Sequence, residues 1–320
     1  MPYFSGMQAV IRGRRTFDPP SSVGRICAPA GAEGCGAGTQ MQAYALMDEL
    51  LGRAAYDWLD AWVKEQEDGD KLLRIVIGNA GWAYELAGST HAMRTLAASE
   101  AGSREVAASV ENAVQEMVGT PEALATVVAS AVAREAIWGK AMAWGAISGS
   151  GMAVGKFVIG AAGLETAAYA DMEAVAASSV AMEAVAASTA ARQALWQSDT
   201  ALLALQNSPD AVQCLIDSPY AVRGEATSSS KTFEEKGTRL ILLRRWYSST
   251  SEYDYLQWGR DGENLPGYGA RAVKYGEGYA GIGNGPDSNN SDANNVRACS
   301  GLRRNTWSTS STLTVYYLPV

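Results

Sequence analysis

Residues 171–221 read DMEAVAASSV AMEAVAASTA ARQALWQSDT ALLALQNSPD AVQCLIDSPY A, with serine returning at Ser178, Ser188, Ser198, Ser208 and Ser218 and alanine at Ala181, Ala191, Ala201, Ala211 and Ala221. Within one block Ala181, Met182, Ala184 and Val185 stand at i, i+1, i+3 and i+4, the spacing of one helix face. A helix turns about 100° per residue, so ten residues leave the next copy of the stripe about 80° out of line. An unbroken helix and a heptad coiled coil both fail on that period. Ser208-Pro209 and Ser218-Pro219 place a favoured N-cap residue directly before the residue favoured in a first turn. The pattern predicts a helix that restarts every ten residues and runs for about two turns. Such a helix is too short to persist alone, so its stability must come from stacking along the array, from other chains, or from both.

Looser copies run upstream through HAMRTLAAS (91–99), SREVAAS (103–109), PEALATVVAS (121–130) and GKAMAWGAISG (139–149), extending the array over residues 79–223. On its N-terminal side, residues 16–40 are rich in Pro, Gly and Ser and read as an extended arm. Met41 to Gln66 follows with Tyr44, Met47, Leu51, Ala55, Trp58 and Trp62 spaced as one stripe of a long amphipathic helix, a surface for another chain or for its own domain. After Arg223 the composition changes. Residues 226–237 read as a linker, and short β-rich runs follow at Thr238–Tyr247, Tyr253–Trp258, Arg271–Tyr275, Val296–Cys299 and Thr312–Leu318, separated by Gly, Asn and Pro turns. The expected fold is thus a multidomain α+β chain: an attachment region over 1–78, a shaft of decapeptide-repeat helices over 79–223, and an antiparallel β-sandwich tip over 224–320.

Charge and composition narrow the function. Of 320 residues, 26 are Lys or Arg and 34 are Asp or Glu, giving a net charge of −8, of which −7 falls in residues 79–223. An acidic array offers no footprint for a nucleic-acid backbone, and the short basic run Arg12–Arg15 reads as a solvated turn. The single histidine, His91, excludes any site built from two or more imidazoles. Four cysteines, Cys27, Cys35, Cys214 and Cys299, are too sparse for a disulfide scaffold and read as free thiols of a protein made in a reducing compartment. The N-terminal residues lack the charge order of a secretory signal. Ala141 to Gly163 is interrupted by Lys156 and is too rich in small residues for a membrane span.

No catalytic residue, metal ligand or cofactor emerges from the pattern. Glu234, Glu235, Asp254, Asp261 and Glu263 read as solvated loop acids more readily than as a glycosidase pair. The run Asp287–Asp292 lacks the glycine and closing glutamate of a calcium loop. The aromatic residues of the last region carry more: twelve of the chain's 27 lie in its final 97 residues. Tyr and Trp combine a flat apolar face with a polar handle, which suits stacking on a sugar or anchoring a protein. Tyr253, Tyr255, Trp258, Tyr268, Tyr275 and Tyr279 are the candidate ligand-binding residues, and filling a core is the competing role for each.

The pattern S-x-x-A-M-x-A-V-A-A-S from Ser178 to Ser188 resembles decapeptide arrays of tailed-bacteriophage virion proteins, and the closing segment from Cys299 to Val320 is similar to the C-terminal β-domains of their fibres. The resemblance spans residues 79–320 and carries over no catalytic residue. It implies a non-enzymatic structural protein of the virion, made in the host cytoplasm. The fibre would be a homotrimer, attached to other virion proteins through its N-terminal region and meeting a host surface glycan or protein at its tip. Two other readings stand beside it: a capsid or neck decoration protein that stabilises the particle without a receptor, and a hydrolase acting on surface polysaccharide.

Overall fold

In the computed structural model, which describes residues 37–52, 58–109, 113–226, 232–243, 255–259, 277–281, 295–305 and 313–320, a helix ends and the next begins at nearly every serine of the array. Sixteen α-helices are described. The first eight are α1 (Ala37–Gly52), α2 (Trp58–Glu65), α3 (Gly69–Gly78), α4 (Ala80–Ala87), α5 (Thr90–Ala98), α6 (Glu100–Ala108), α7 (Gln115–Val118) and α8 (Pro121–Ala129). The others are α9 (Ala131–Trp138), α10 (Ala141–Ser148), α11 (Gly151–Ala161), α12 (Met172–Ala176), α13 (Ser179–Ala187), α14 (Thr189–Trp196), α15 (Asp199–Gln206) and α16 (Pro209–Asp217). The stretch expected to form one helix over 41–66 is described as α1 and α2; the expected arm over 16–40 lies outside the described residues up to residue 36.

Most corners are built by one side chain, while the starts of α3, α7, α8 and α10 carry no side-chain cap. Ser89, Ser99, Ser130, Ser178, Ser188, Ser198 and Ser208 take extended backbone, and each Oγ accepts the N–H of the residue three further on at 3.0–3.3 Å. Asn79, Ser150 and Asp171 do the same for α4, α11 and α12. Proline stands in the first turn of α8 and α16, where its missing N–H costs nothing. The residue that donates to the cap is alanine in most units and lies in the interior: Ala92, Ala181, Ala191 and Ala201 are fully buried. At Gly102, which takes this place in α6, a Cβ would come within 2.7 Å of the Leu96 carbonyl. At Gly102 the small residue at cap plus three is therefore a packing requirement, whereas Trp82 holds that place in α4.

Helices three apart in sequence lie side by side: α3 with α6, α5 with α8, α6 with α9, α8 with α11, α12 with α15, and α13 with α16. Three decapeptides thus complete one turn of a superhelix, and residues about thirty apart become neighbours. Hydroxyls tie successive turns together. Ser130 Oγ donates to the Ala97 carbonyl, and Ser208 Oγ to the Ala176 carbonyl at 3.2 Å, so two capping serines also serve the corner one turn earlier. The interior is made by Ala181, Met182, Val185 and Ala186 in α13 and by Ala201, Leu202, Ala204 and Leu205 in α15, all buried within the chain itself.

The described chain groups into two compact units. One holds the residues up to Ala161 with Glu165–Ala170; the other holds Ala162–Leu164 and the chain from Asp171 onward. The change coincides with a lapse in the period, since no cap stands between Ser150 and Asp171 except that of a short 3-10 turn at Thr166–Ala168. Gly163 there has φ of +78°, a conformation that favours glycine. In the first unit Trp138, Trp144 and Phe157 cluster with ring centroids 4.7–6.0 Å apart. Lys156, which interrupts the apolar run in sequence, is buried, and its Nζ donates to the carbonyls of Thr166 at 3.2 Å and Tyr169 at 3.0 Å. Glu165–Ala170 is thereby tied back onto α11 within the first unit.

The second unit ends in one antiparallel sheet of six described strands: β1 (Val222–Ala226), β2 (Thr232–Leu243), β3 (Tyr255–Gly259), β4 (Glu277–Gly281), β5 (Asn295–Asn305) and β6 (Leu313–Pro319). Their spatial order is β1-β6-β2-β5-β3-β4. This corrects the expected β-sandwich. Among the described residues there is no second sheet, and α14, α15 and α16 pack against β2, β5 and β6. Leu240 of β2 pairs in register with Leu318 of β6, and both are buried. Tyr317 and Leu318, neighbours of opposite parity on β6, are both buried, so both faces are covered at this end of the strand. Two further differences follow. Part of the expected linker, from Thr232, is strand, and Ser218-Pro219 opens no helix: Ser218 Oγ donates to the Leu215 carbonyl, and the chain turns into β1.

Two glycines test the packing. Gly160→Ala would put a Cβ 2.3 Å from the Val128 carbonyl, whereas Gly145, also helical, has nothing within 4 Å of that position. In urea unfolding monitored by circular dichroism, Gly160→Ala should cost about 1–3 kcal/mol. Gly145→Ala should gain about 0.5–1 kcal/mol.

Candidate functional site

The blocks of the second unit carry Met172, Met182, Leu202 and Val212 at one buried position, and at the same position of α14 stands Arg192. The residue as a whole is only 9% exposed. Nε donates to the Pro319 carbonyl at 2.7 Å, one terminal nitrogen donates to the Ala186 carbonyl and the other to Thr189 Oγ1, and the group lies over the Tyr220 ring. Burial lowers the affinity of the guanidinium for its proton, with Tyr220 opposing the shift, but arginine remains charged. The array thus grips both ends of the terminal sheet's chain path, the last residue of β6 and the turn before β1. In the sequence, the one signal for Arg192 is a charge in an apolar register, which composition and motif alone do not single out.

The candidate binding residues distribute differently. Tyr255 and Trp258 lie on β3 and Tyr279 on β4; Tyr255 pairs with Gly281, Gln257 with Tyr279, and Trp258 with Gly278. The register brings these three residues to two adjacent strands at one margin of the sheet, with Tyr255 and Trp258 at opposite parities of the pleat. Tyr253, Tyr268 and Tyr275 lie outside the described residues, as do Asp254, Asp261, Glu263, the 287–292 run, Cys27, Cys35 and Arg12–Arg15. Glu234 and Glu235 are on β2, where Glu234 pairs in register with Arg303. Cys299 is on β5 opposite Arg239.

In the first unit a second polar cluster closes the start of α6. Asp60 of α2 accepts hydrogen bonds from the Ser99 hydroxyl at 2.8 Å and from the backbone N–H groups of Ala101 at 3.1 Å and Glu100 at 3.2 Å. Burial would raise its pKa, but the three donors and the Lys64 charge outweigh burial and hold the carboxyl below the usual range. One turn on, the buried carboxylate of Glu105 receives Arg74 Nε at 3.1 Å and Arg104 Nε at 3.7 Å, and Arg104 reaches Asp70 at 2.6 Å. Tyr44, from the aromatic stripe, is buried with its ring edge-on to Trp82 at 5.0 Å, so this residue packs within its own unit.

Other residues singled out in the sequence have ordinary surroundings. His91 is exposed on α5. Cys214 is partly exposed, and burial together with Glu183 and Asp217 raises its thiol pKa, which makes it a poor nucleophile. Among the described residues no group of three or more His, Cys, Asp or Glu side chains could hold a metal ion, and no helix is long and apolar enough to cross a membrane. Large apolar side chains do reach the surface, with Met142 at 69%, Val180 at 63% and Leu203 at 56% exposure. No protein-family model matches the chain, and no curated protein matches it.

Two substitutions probe these clusters. Arg192→Met restores the apolar register but leaves the Pro319 and Ala186 carbonyls without their donor, so it should cost about 1–3 kcal/mol and speed amide hydrogen exchange in β6. Asp60→Asn should destabilise the chain by about 1 kcal/mol at neutral pH. Because the folded-state pKa of Asp60 is depressed, its contribution is present above the unfolded value and is lost as pH falls through the folded one. Paired urea titrations of wild type and Asp60→Asn should therefore converge in acid.

Proposed function

We propose that this protein is a structural component of a tailed-bacteriophage virion, with the decapeptide array as scaffold and the margin of the C-terminal sheet as the surface that meets the host. The observation that supports this reading most is the array itself. From Asp171 to Asp217 the chain repeats one self-capping block whose buried positions pack on the same chain, which is the economy of a scaffold. The resemblance of Ser178–Ser188 to phage decapeptide arrays supplies the context, and attachment through the N-terminal region and assembly as a trimer belong to the same proposal.

One observation favours a capsid or neck decoration protein instead. A turn of three helices advances by about one interhelical spacing, about 8–10 Å. Thirty residues of single helix would reach about 45 Å. Within each unit the helices therefore gain breadth at the expense of reach, which suits a surface-bound decoration more than a fibre.

Competition separates the two. Purified full-length chain should reduce adsorption of the source phage to its host, and Trp258→Ala with Tyr279→Ala should weaken that effect at least tenfold. Absence of competition, together with particles that adsorb normally without the protein but break at lower temperature, would establish decoration. Absence of the chain from purified particles by mass spectrometry would overturn both.

A further inference from the structure

The α2 helix is held more thinly than its neighbours. Of its eight residues only Leu59 is buried, whereas α3 buries Leu72, Leu73, Ile75, Val76 and Ile77. It packs on α3 and on α6, where Asp60 meets the first residues of the helix. Two residues after their capping serines, His91, Val132, Val180, Ala190 and Asp210 are all exposed. Ala101 stands at the same place of α6 and is only 6% exposed. The α2 helix is thus laid over the outside of the array, at a position that other blocks leave open. A segment with so little apolar burial belongs to the low-stability end of a folded chain.

We propose that α2 is a strap over the start of α6, fastened by the ionised carboxylate of Asp60 and opened by acid while later blocks of the array stay folded. The carboxylate accepts from the Ser99 hydroxyl and from the N–H groups of Glu100 and Ala101, where a helix start favours negative charge. Protonation removes that charge and turns one acceptor into a donor, facing backbone groups that can only donate. Of the other charges on α3 and α6, Arg74, Asp70, Arg104 and Glu105 are joined to one another. Lys71 and Glu100 are exposed, as is Glu65 on α2, and Lys64 of α2 favours the ionised form of Asp60. Later turns are tied from hydroxyl to carbonyl, at Ser130, Thr166 and Ser208, and those ties do not titrate. The folded-state pKa of Asp60 is depressed, so the fastening is complete above the unfolded value and is lost as pH falls through the folded one. The strap is therefore shut at neutral pH. The inference does not depend on the virion reading.

The test is hydrogen exchange of the full-length chain, read peptide by peptide by mass spectrometry from neutral pH into acid and corrected for intrinsic rates. In the wild type the α2 amides should lose about tenfold in protection in acid while α13 and α16 keep theirs. Asp60→Asn should leave α2 as unprotected at neutral pH as the wild type is in acid, with no further change on acidification. Lys64→Ala, at an exposed position, should move the opening to higher pH, a shift that a merely structural Asp60 would not show. Four results would overturn the proposal: α2 protection that persists in acid, its loss together with that of α13 and α16, wild-type protection of α2 in Asp60→Asn at neutral pH, or an opening pH unmoved by Lys64→Ala.

Discussion

A serine hydroxyl accepting the backbone N–H three residues on is the contact on which the array depends. It satisfies one of the donors that a helix start leaves open, and it goes with extended backbone at the serine itself, so the chain turns at that point. Each cap is worth about 1 kcal/mol, far less than the apolar burial within the units. Its importance is geometric. With the helix restarted at a fixed phase, the apolar stripe never drifts, and every block presents the same face inward.

The corners are also what make the small residues necessary. Where the chain turns every ten residues, backbone from one helix approaches the first turn of the next, and the donor to the cap lies in that approach. Alanine fits there at Ala92, Ala181, Ala191 and Ala201, and Gly102 marks a closer approach still. The alanine richness that looks like low complexity in the sequence is thus the imprint of a crowded interior at one position per block. Larger apolar residues such as Met182, Leu195 and Leu205 fill the space further along each helix.

Much of this was legible in the residues because it is local. Serine at ten-residue intervals, alanine three beyond it and proline after Ser208 specify cap, packing position and helix start without reference to distant contacts. What could not be read was set at long range. The alternation in Leu313–Leu318 calls for a covered face, but whether a second sheet or a helix layer covers it depends on how α14–α16 reach β2, β5 and β6. Ser218-Pro219 carries the signal of a helix start, yet the chain enters the sheet there, because β1 pairing with β6 competes with another block. Among the candidate binding residues, the strand spacing could suggest that Tyr255 and Trp258 belong to one strand, but only the register brought Tyr279 beside them. Arg192 was visible in principle, since a lone cation in an apolar series calls for buried acceptors, and one of them lies 127 residues away.

Three blocks to the turn also couple length to heading. Gaining or losing a single block within a unit would swing everything beyond it in that unit by a third of a revolution, exchanging which surface looks outward, while a change of three blocks would add or remove a layer and leave every direction as it was. The array is in this sense a ratchet with three teeth: its extent can drift over evolutionary time in whole layers, whereas smaller changes must be matched by new surfaces.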